Sequence, residues 1–294
     1  MARPVSPADP LRLDRRALRR HFERASRTFD AHAVLASRVR EELLSRLDLV
    51  AFEPRIVLDL GCGTAHAARA LKRRWPKARV LALDRSSAML ARAAAQSSFL
   101  RRFERACADA VALPIASGAV DLVFSSLMLP AIDALDAALA EARRVLSARG
   151  YFTFATLGPD TLRELRAAWA AADGGAHVHR FLDMHDVGDA LVRAGFADPV
   201  MDVERVTLTY RDVRALVADL RAVGASNALA ERRRALTGRR RWAIVEAKYA
   251  RDADGRLPAS CEVVYGQAWC PGTTPPIRSR RGEVVVPLER LRRR

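Results

Sequence analysis

The chain has 294 residues, is half hydrophobic and carries a formal charge of +16, enough for one large α/β unit with attachments or about two domains. No apolar run approaches the ~20 residues that cross a bilayer, and residues 1–10 lack the apolar core of a secretion signal. Cys62, Cys107, Cys261 and Cys270 show neither CxxC nor Cys/His zinc spacing, so they read as free thiols of a reducing, cytoplasmic compartment, and no metal site is expected.

In chain order, residues 14–49 predict two helices, an arm whose Phe22 and Phe29 are placed to fold over a ligand and exclude water. Residues 56–60 are a short apolar run ending around Asp59, which reads as a buried parallel strand. Gly61 and Gly63 then permit a tight turn and close backbone approach to a ligand. A helix is predicted over 65–75, giving the strand–turn–helix corner that holds nucleotide-like ligands at the carboxyl edge of an α/β sheet. A dinucleotide fingerprint would need a third glycine, where this chain has Thr64-Ala65-His66.

A second apolar strand over 79–83 ends at Asp84, 21 positions after Gly63. That is close to the ~20-residue spacing of an acid that accepts from ribose hydroxyls. Ser86 and Ser87 read as caps of a helix reaching about residue 95, with Met89 against an adenine face or in the core. A third acid, Asp109, follows Cys107. A strand over 119–124 leads into Ser125–Met128, then come a helix over 135–146 and a strand over 151–157. Gly158-Pro159 marks a turn, with Asp160 reading as the cap of a helix carrying Arg163, Glu164 and Arg166. His177-x-His179 reads as a polar loop. Beyond it the pattern predicts a helix over 184–194 ended by Gly195, a strand over 199–210, a helix over 213–223, a basic helical region over 228–250, and a closing strand over 260–269.

Asp59-Leu60-Gly61-Cys62-Gly63 resembles motif I of class I S-adenosylmethionine (SAM) methyltransferases, whose loop holds the amino acid part of SAM. Ala65 stands where the usual form has another glycine. The resemblance implies a Rossmann-like α/β fold: a mostly parallel seven-stranded sheet with helices on both faces, an N-terminal helical arm and a helical insertion before the last strand. It assigns cofactor contacts to Asp59, Gly61, Cys62, Gly63, Asp84, Arg85, Met89, Asp109, Ala110 and Ser125, with Asp109 accepting from the adenine amino group. The expected organisation is an arm over 1–50, a SAM domain over 51–270 with acceptor-binding insertions at about 158–195 and 211–258, and a basic tail over 271–294.

A more specific likeness runs over about residues 15–270. Arg20-His21-Phe22, Thr28-Phe29-Asp30, Gly158-Pro159-Asp160-Thr161-Leu162, His179-Arg180-Phe181-Leu182, Asp219-Leu220, Gly224-Ala225-Ser226-Asn227 and Tyr265-Gly266-x-x-Trp269 look like the BioC family. These are malonyl-[acyl-carrier-protein] O-methyltransferases of biotin synthesis (EC 2.1.1.197). The likeness implies methylation of the free malonyl carboxylate, with S-adenosylhomocysteine as co-product. No general base is called for, but a cation is needed to orient the carboxylate, and Arg180, Arg163 and Arg166 are the candidates. Some of the same elements are similar to a complex I assembly factor described as a protein-arginine hydroxylase, so that family, or another small-molecule SAM methyltransferase, stands as the alternative. Ser126 and Leu129-Pro130 depart from the Asn and aromatic residue expected after strand four.

A carrier protein is acidic, and the basic clusters Arg232–Arg234, Arg239–Arg241, Arg278–Arg281 and Arg290–Arg294 would attract it. Nucleic acid is the competing polyanion, but the chain has no RNA-binding motif and only 6% aromatic residues for stacking.

Overall fold

β1 (Ile56–Leu60) is buried along all but its first residue, as a continuous apolar run must be at the centre of a parallel sheet. The computed structural model describes residues 12–97 and 102–272, so the basic clusters at Arg278–Arg281 and Arg290–Arg294 lie outside the described residues. In those residues β1 pairs in parallel with β2 (Arg79–Asp84) and β4 (Val120–Ser126). β3 (Glu104–Cys107) adds in parallel to β2, and β5 (Leu146–Leu157) to β4. β7 (Leu257–Trp269) runs antiparallel between β5 and β6 (Ala197–Tyr210), giving the order β3-β2-β1-β4-β5-β7-β6. The sheet is therefore seven-stranded, with one strand reversed.

Strand alternation divides the core. Leu58, Leu60, Val123, Phe152 and Phe154 face α6 (Leu135–Val145) and α8 (Met184–Arg193). Val57, Leu122, Phe124 and Tyr151 face α3 (Val34–Ser45), α4 (His66–Arg74) and α5 (Ser87–Ala93). A further cluster joins α7 (Arg163–Ala172), α9 (Val213–Ala222) and α10 (Arg239–Lys248) to the start of β7 through Trp169, Leu216, Val245 and Leu257. No helix among the described residues is long and apolar enough to cross a membrane.

The arm begins with α1 (Arg15–Ala25), capped by the Asp14 carboxylate accepting from Ala17 N–H, and continues through α2 (Phe29–His32) into α3. That N–H and the Arg232 guanidinium hold the Asp14 carboxyl at about 2. Just before α1, Asp14 N–H donates to Ala228 O and Ala230 N–H to Arg12 O, so the arm is stitched to a loop far along the sequence.

Two sequence expectations are corrected here. Asp160 does not cap a helix: α7 starts at Arg163, after Leu162 in the left-handed region. The intervening turn hangs from β7 instead, with Gly158 N–H on Glu262 O, Asp160 N–H on the Glu262 carboxylate and Leu162 N–H on Ser260 O. The basic stretch over 228–250 is helical only from Arg239. Its first part is used by the Leu13–Leu229 pairing, a tertiary contact that overrides the helix preference of alanine and arginine.

Candidate active site

The β1–α4 turn is held by the end of β2. Gly61 and Cys62 N–H groups both donate to Leu83 O, and Gly63 N–H donates 2.9 Å to an Asp84 carboxylate oxygen. The other Asp84 oxygen accepts from Ser86 N–H at 2.8 Å. Each oxygen keeps a further lone pair, and Asp84 lines the cavity that opens over this turn. Burial raises the Asp84 carboxyl against the lowering effect of these two N–H donors.

Gly61 has φ +77°, and a Cβ there would lie 2.3 Å from the Met128 side chain, so only glycine fits. Gly63 faces open space. Ala65 adopts φ +65°, the left-handed conformation that favours the glycine of the usual motif. The alanine bears a strain of about 1–2 kcal/mol and starts α4 without a side-chain cap.

Asp59 lies beneath the turn, 1% exposed, and accepts from Ala68 N–H at 2.8 Å. Burial, with Asp84 alongside, pushes its carboxyl up to about 7. It is not among the residues lining the cavity, and its carboxylate anchors the first turn of α4.

The cavity holds about 310 Å³ and is mostly apolar. Of the residues named from sequence, Gly61, Gly63, Asp84, Arg85, Met89 and Ala110 line one half, and Phe22 and Phe29 line the arm side. Cys62 and the fully buried Ser125 sit behind the wall, and the Ser125 hydroxyl has no partner among the described residues. Asp109 also stands outside the wall, ion-paired with Arg15 and accepting from Val111 N–H. Arg85 donates to Arg15 O, and burial lowers its guanidinium.

The arm is pinned across this opening at three places. Arg15 meets Asp109 and Arg85. Asp30 accepts from Thr64 Oγ1 at 2.6 Å and lies 3.2 Å from His66. His32 meets Asp219, which also accepts from the Tyr210 hydroxyl. Phe22 packs so closely on Gly224 (φ +78°) that a Cβ there would stand 2.8 Å from its ring. His32, Asp219 and Tyr210 all line the cavity. Asp219 stands in one of the family-like segments, but its pairing with His32, 187 positions away, has no local signal in the sequence.

The three arginines named as carboxylate clamps do not line this cavity. Arg163 is exposed and pairs with Glu164. Arg166 donates through its Nη groups to the carbonyls of Pro159, Thr161 and His179, and its buried Nε–H has no partner among the described residues. Arg180 is exposed and lines a smaller adjoining pocket of about 60 Å³.

His179 lines both spaces. Its Nε2 accepts from Ala228 N–H at 2.9 Å, and burial with the nearby His21 holds the ring down to about 4. A folded value below the ordinary 6.5 means that the unfolded chain takes up the proton first. The contribution to stability is therefore complete above pH 6.5 and is lost as pH falls from there toward 4. We expect acidification from pH 7 to 5 to remove about 2 kcal/mol through this residue alone. Unfolding of the His179→Gln variant, measured across that range, should lack this part of the slope.

Comparison with known proteins adds a separate line. A family model described as a methyltransferase domain matches residues 58–154. Over 282 residues, 93% of this chain and 95% of the relative, the sequence is 51% identical to a malonyl-[acyl-carrier protein] O-methyltransferase of Laribacter hongkongensis. It is 47% identical over 293 residues, 99% of each chain, to a protein of the same name from Halorhodospira halophila. Among solved structures, the YcgJ protein of Bacillus subtilis matches with a TM-score of 0.58 at 14% identity, covering 79% of this chain and 98% of that one. At that identity the likeness shows the fold alone.

Proposed function

Because this chain belongs to the malonyl-[acyl-carrier protein] O-methyltransferase family, we propose that it converts the free carboxylate of malonyl-carrier protein to its methyl ester, using SAM as methyl donor and releasing S-adenosylhomocysteine. The observation that carries this reading is the 51% identity over nearly the whole of both chains, which takes in the cavity-lining residues beyond the matched methyltransferase domain.

The residues present fit the cofactor. Asp84 offers two carboxylate oxygens with lone pairs to spare at the cavity wall, as vicinal ribose hydroxyls require. Gly63 leaves the turn open, and Met89 and Ala110 give apolar walls for a flat base. SAM when bound supplies an electrophilic methyl group on a sulfonium. The protein's own share is positioning and the exclusion of water. A malonyl carboxylate is already ionised at neutral pH, so no base is required, and orientation in a dry cavity is the main source of rate. Phe22, Phe29 and the three arm attachments supply the cover. Incubating the protein with methyl-labelled SAM and malonyl-carrier protein should give labelled methyl ester and S-adenosylhomocysteine in equal amounts. SAM binding without transfer would defeat the reading.

The carrier docks, on this reading, against a basic face beside α1. Arg20, Arg24 and Arg27, with Glu23 among them, outline a shallow depression on α1 and the turn after it. Arg233 and Arg234 are exposed near its N-terminus, Arg234 lying 3.8 Å from Asp14. Arg232 is committed to Asp14 and Leu229 O, so it belongs to the fold. Arg233→Glu with Arg24→Glu should raise KM for malonyl-carrier protein by about tenfold, in line with the loss of steering and rim contacts. KM for malonyl-coenzyme A should stay nearly unchanged. Equal effects on both substrates would place the docking face elsewhere.

A further inference from the structure

In the half of the cavity built by residues after β5, the polar side chains are mostly committed to the protein. Thr161 Oγ1 donates to Glu262 O, the Tyr210 hydroxyl to Asp219, Asn227 Nδ2 to Ala176 O, and the His177 ring faces Asp173. His179 differs. Its Nε2 is the acceptor for Ala228 N–H, so in the neutral ring the proton sits on Nδ1. That N–H has no acceptor among the described residues.

The ring is also held with unusual care. Asn227 Oδ1 accepts from Leu229 N–H while its amide donates to Ala176 O, which fixes the loop presenting Ala228. Ala228 O accepts from Asp14 N–H, tying the same residue to the arm. Arg166 donates to His179 O. Several contacts therefore hold His179, which keeps one ring donor to spare and borders both the main cavity and the side pocket containing Arg180. A rigid donor supported in this way is how binding sites hold a ligand oxygen in a defined place.

We propose that His179 is an acceptor-binding residue whose Nδ1–H donates to the malonyl carboxylate and orients it for methyl transfer. This rests on the O-methyltransferase reading above. A neutral donor suits the task, because it fixes one carboxylate oxygen while the group keeps its negative charge and the other oxygen remains nucleophilic. It also accounts for Arg166 and Asn227 as positioning residues, acting through His179 and not on the substrate.

Two variants separate the ring's two nitrogens. His179→Gln keeps an acceptor in reach of Ala228 N–H and loses the donor near the Nδ1 position. His179→Asn keeps a donor there and gives up the Ala228 contact. For His179→Gln we expect kcat/KM on malonyl-carrier protein to fall by about 10–100-fold, the worth of one hydrogen bond to a charged group. The loss should appear mainly in KM, with S-adenosylhomocysteine affinity by calorimetry within about twofold of wild type. Inhibition by the methyl ester product, which lacks the carboxylate, should be unchanged. His179→Asn should be the more active of the two while unfolding at the lower temperature.

The proposal is overturned if His179→Gln keeps kcat/KM within threefold, if S-adenosylhomocysteine affinity falls in step with activity, or if the asparagine variant is the less active. A wild-type protein that binds S-adenosylhomocysteine but leaves malonyl-carrier protein unmethylated would instead refute the substrate reading, and the role of His179 with it.

Discussion

Asp84→Ala is expected to weaken S-adenosylhomocysteine binding by about two to three orders of magnitude. The carboxylate stands at the cavity wall with Gly63 N–H on one oxygen and Ser86 N–H on the other. Two ribose hydroxyls would complete its shell, and hydrogen bonds to a charged group contribute about 1.5–3 kcal/mol each. Losing both corresponds to about 3–4 kcal/mol, with about 1.4 kcal/mol per tenfold in affinity. Stability of the ligand-free protein should change far less. The variant strands two backbone donors, but it also removes a buried negative charge whose neighbour Asp59 is itself raised by burial and by that charge. Calorimetric titration with S-adenosylhomocysteine, alongside thermal unfolding without ligand, reads both quantities. Affinity within threefold of wild type would mean that Asp84 serves only to hold the turn.

What could be read from sequence is what depends on neighbours along the chain. The apolar runs of β1, β2 and β4, and the acid 21 positions after Gly63, are local signals, and the parallel sheet brings Gly63 and Asp84 into direct contact. Ala65 registers in sequence as a missing glycine, while only the backbone shows that the position is left-handed. The half of the cavity built after β5 was harder to read because its logic is non-local. Arg166 looks in sequence like any other available cation, and only the fold reveals that carbonyls occupy it. His179 reads as part of a polar loop until Ala228, 49 positions on, selects its tautomer. The pairing of His32 with Asp219 and the stitching of Leu13 to Leu229 follow from the arm's docking, which composition does not encode.

Gly266 illustrates the opposite case, a residue of a family-like motif whose importance is structural. It pairs directly with Phe154 across β5 and β7. A Cβ on Gly266 would come within 2.2–2.8 Å of three carbons of the Phe154 ring. That ring cannot swing away: it is fully buried and stacks on Phe152 with centroids 5.0 Å apart, and Phe152 in turn stacks on Phe196 at 5.4 Å. Close-packed interiors answer such an insertion by forcing off-rotamer side chains or moving backbone. Gly266→Ala should therefore cost about 3 kcal/mol, a fall in Tm of roughly 5–10 °C for a chain of this size. Phe154→Leu alone should also destabilise, by opening a cavity. Together the two changes should be clearly non-additive, because the smaller side chain makes room for the new methyl, and a coupling of at least 1 kcal/mol in the double-mutant cycle is expected. The same strand pair bears on function, since Phe154 lies beside Ser125 in the β4–β5 register and the next β4 residue, Ser126, lines the cavity. Strain relieved by shifting β5 would be felt at this part of the cavity wall. Additive stabilities in the cycle would show that the sheet, and not the Phe154 ring, absorbs the added methyl.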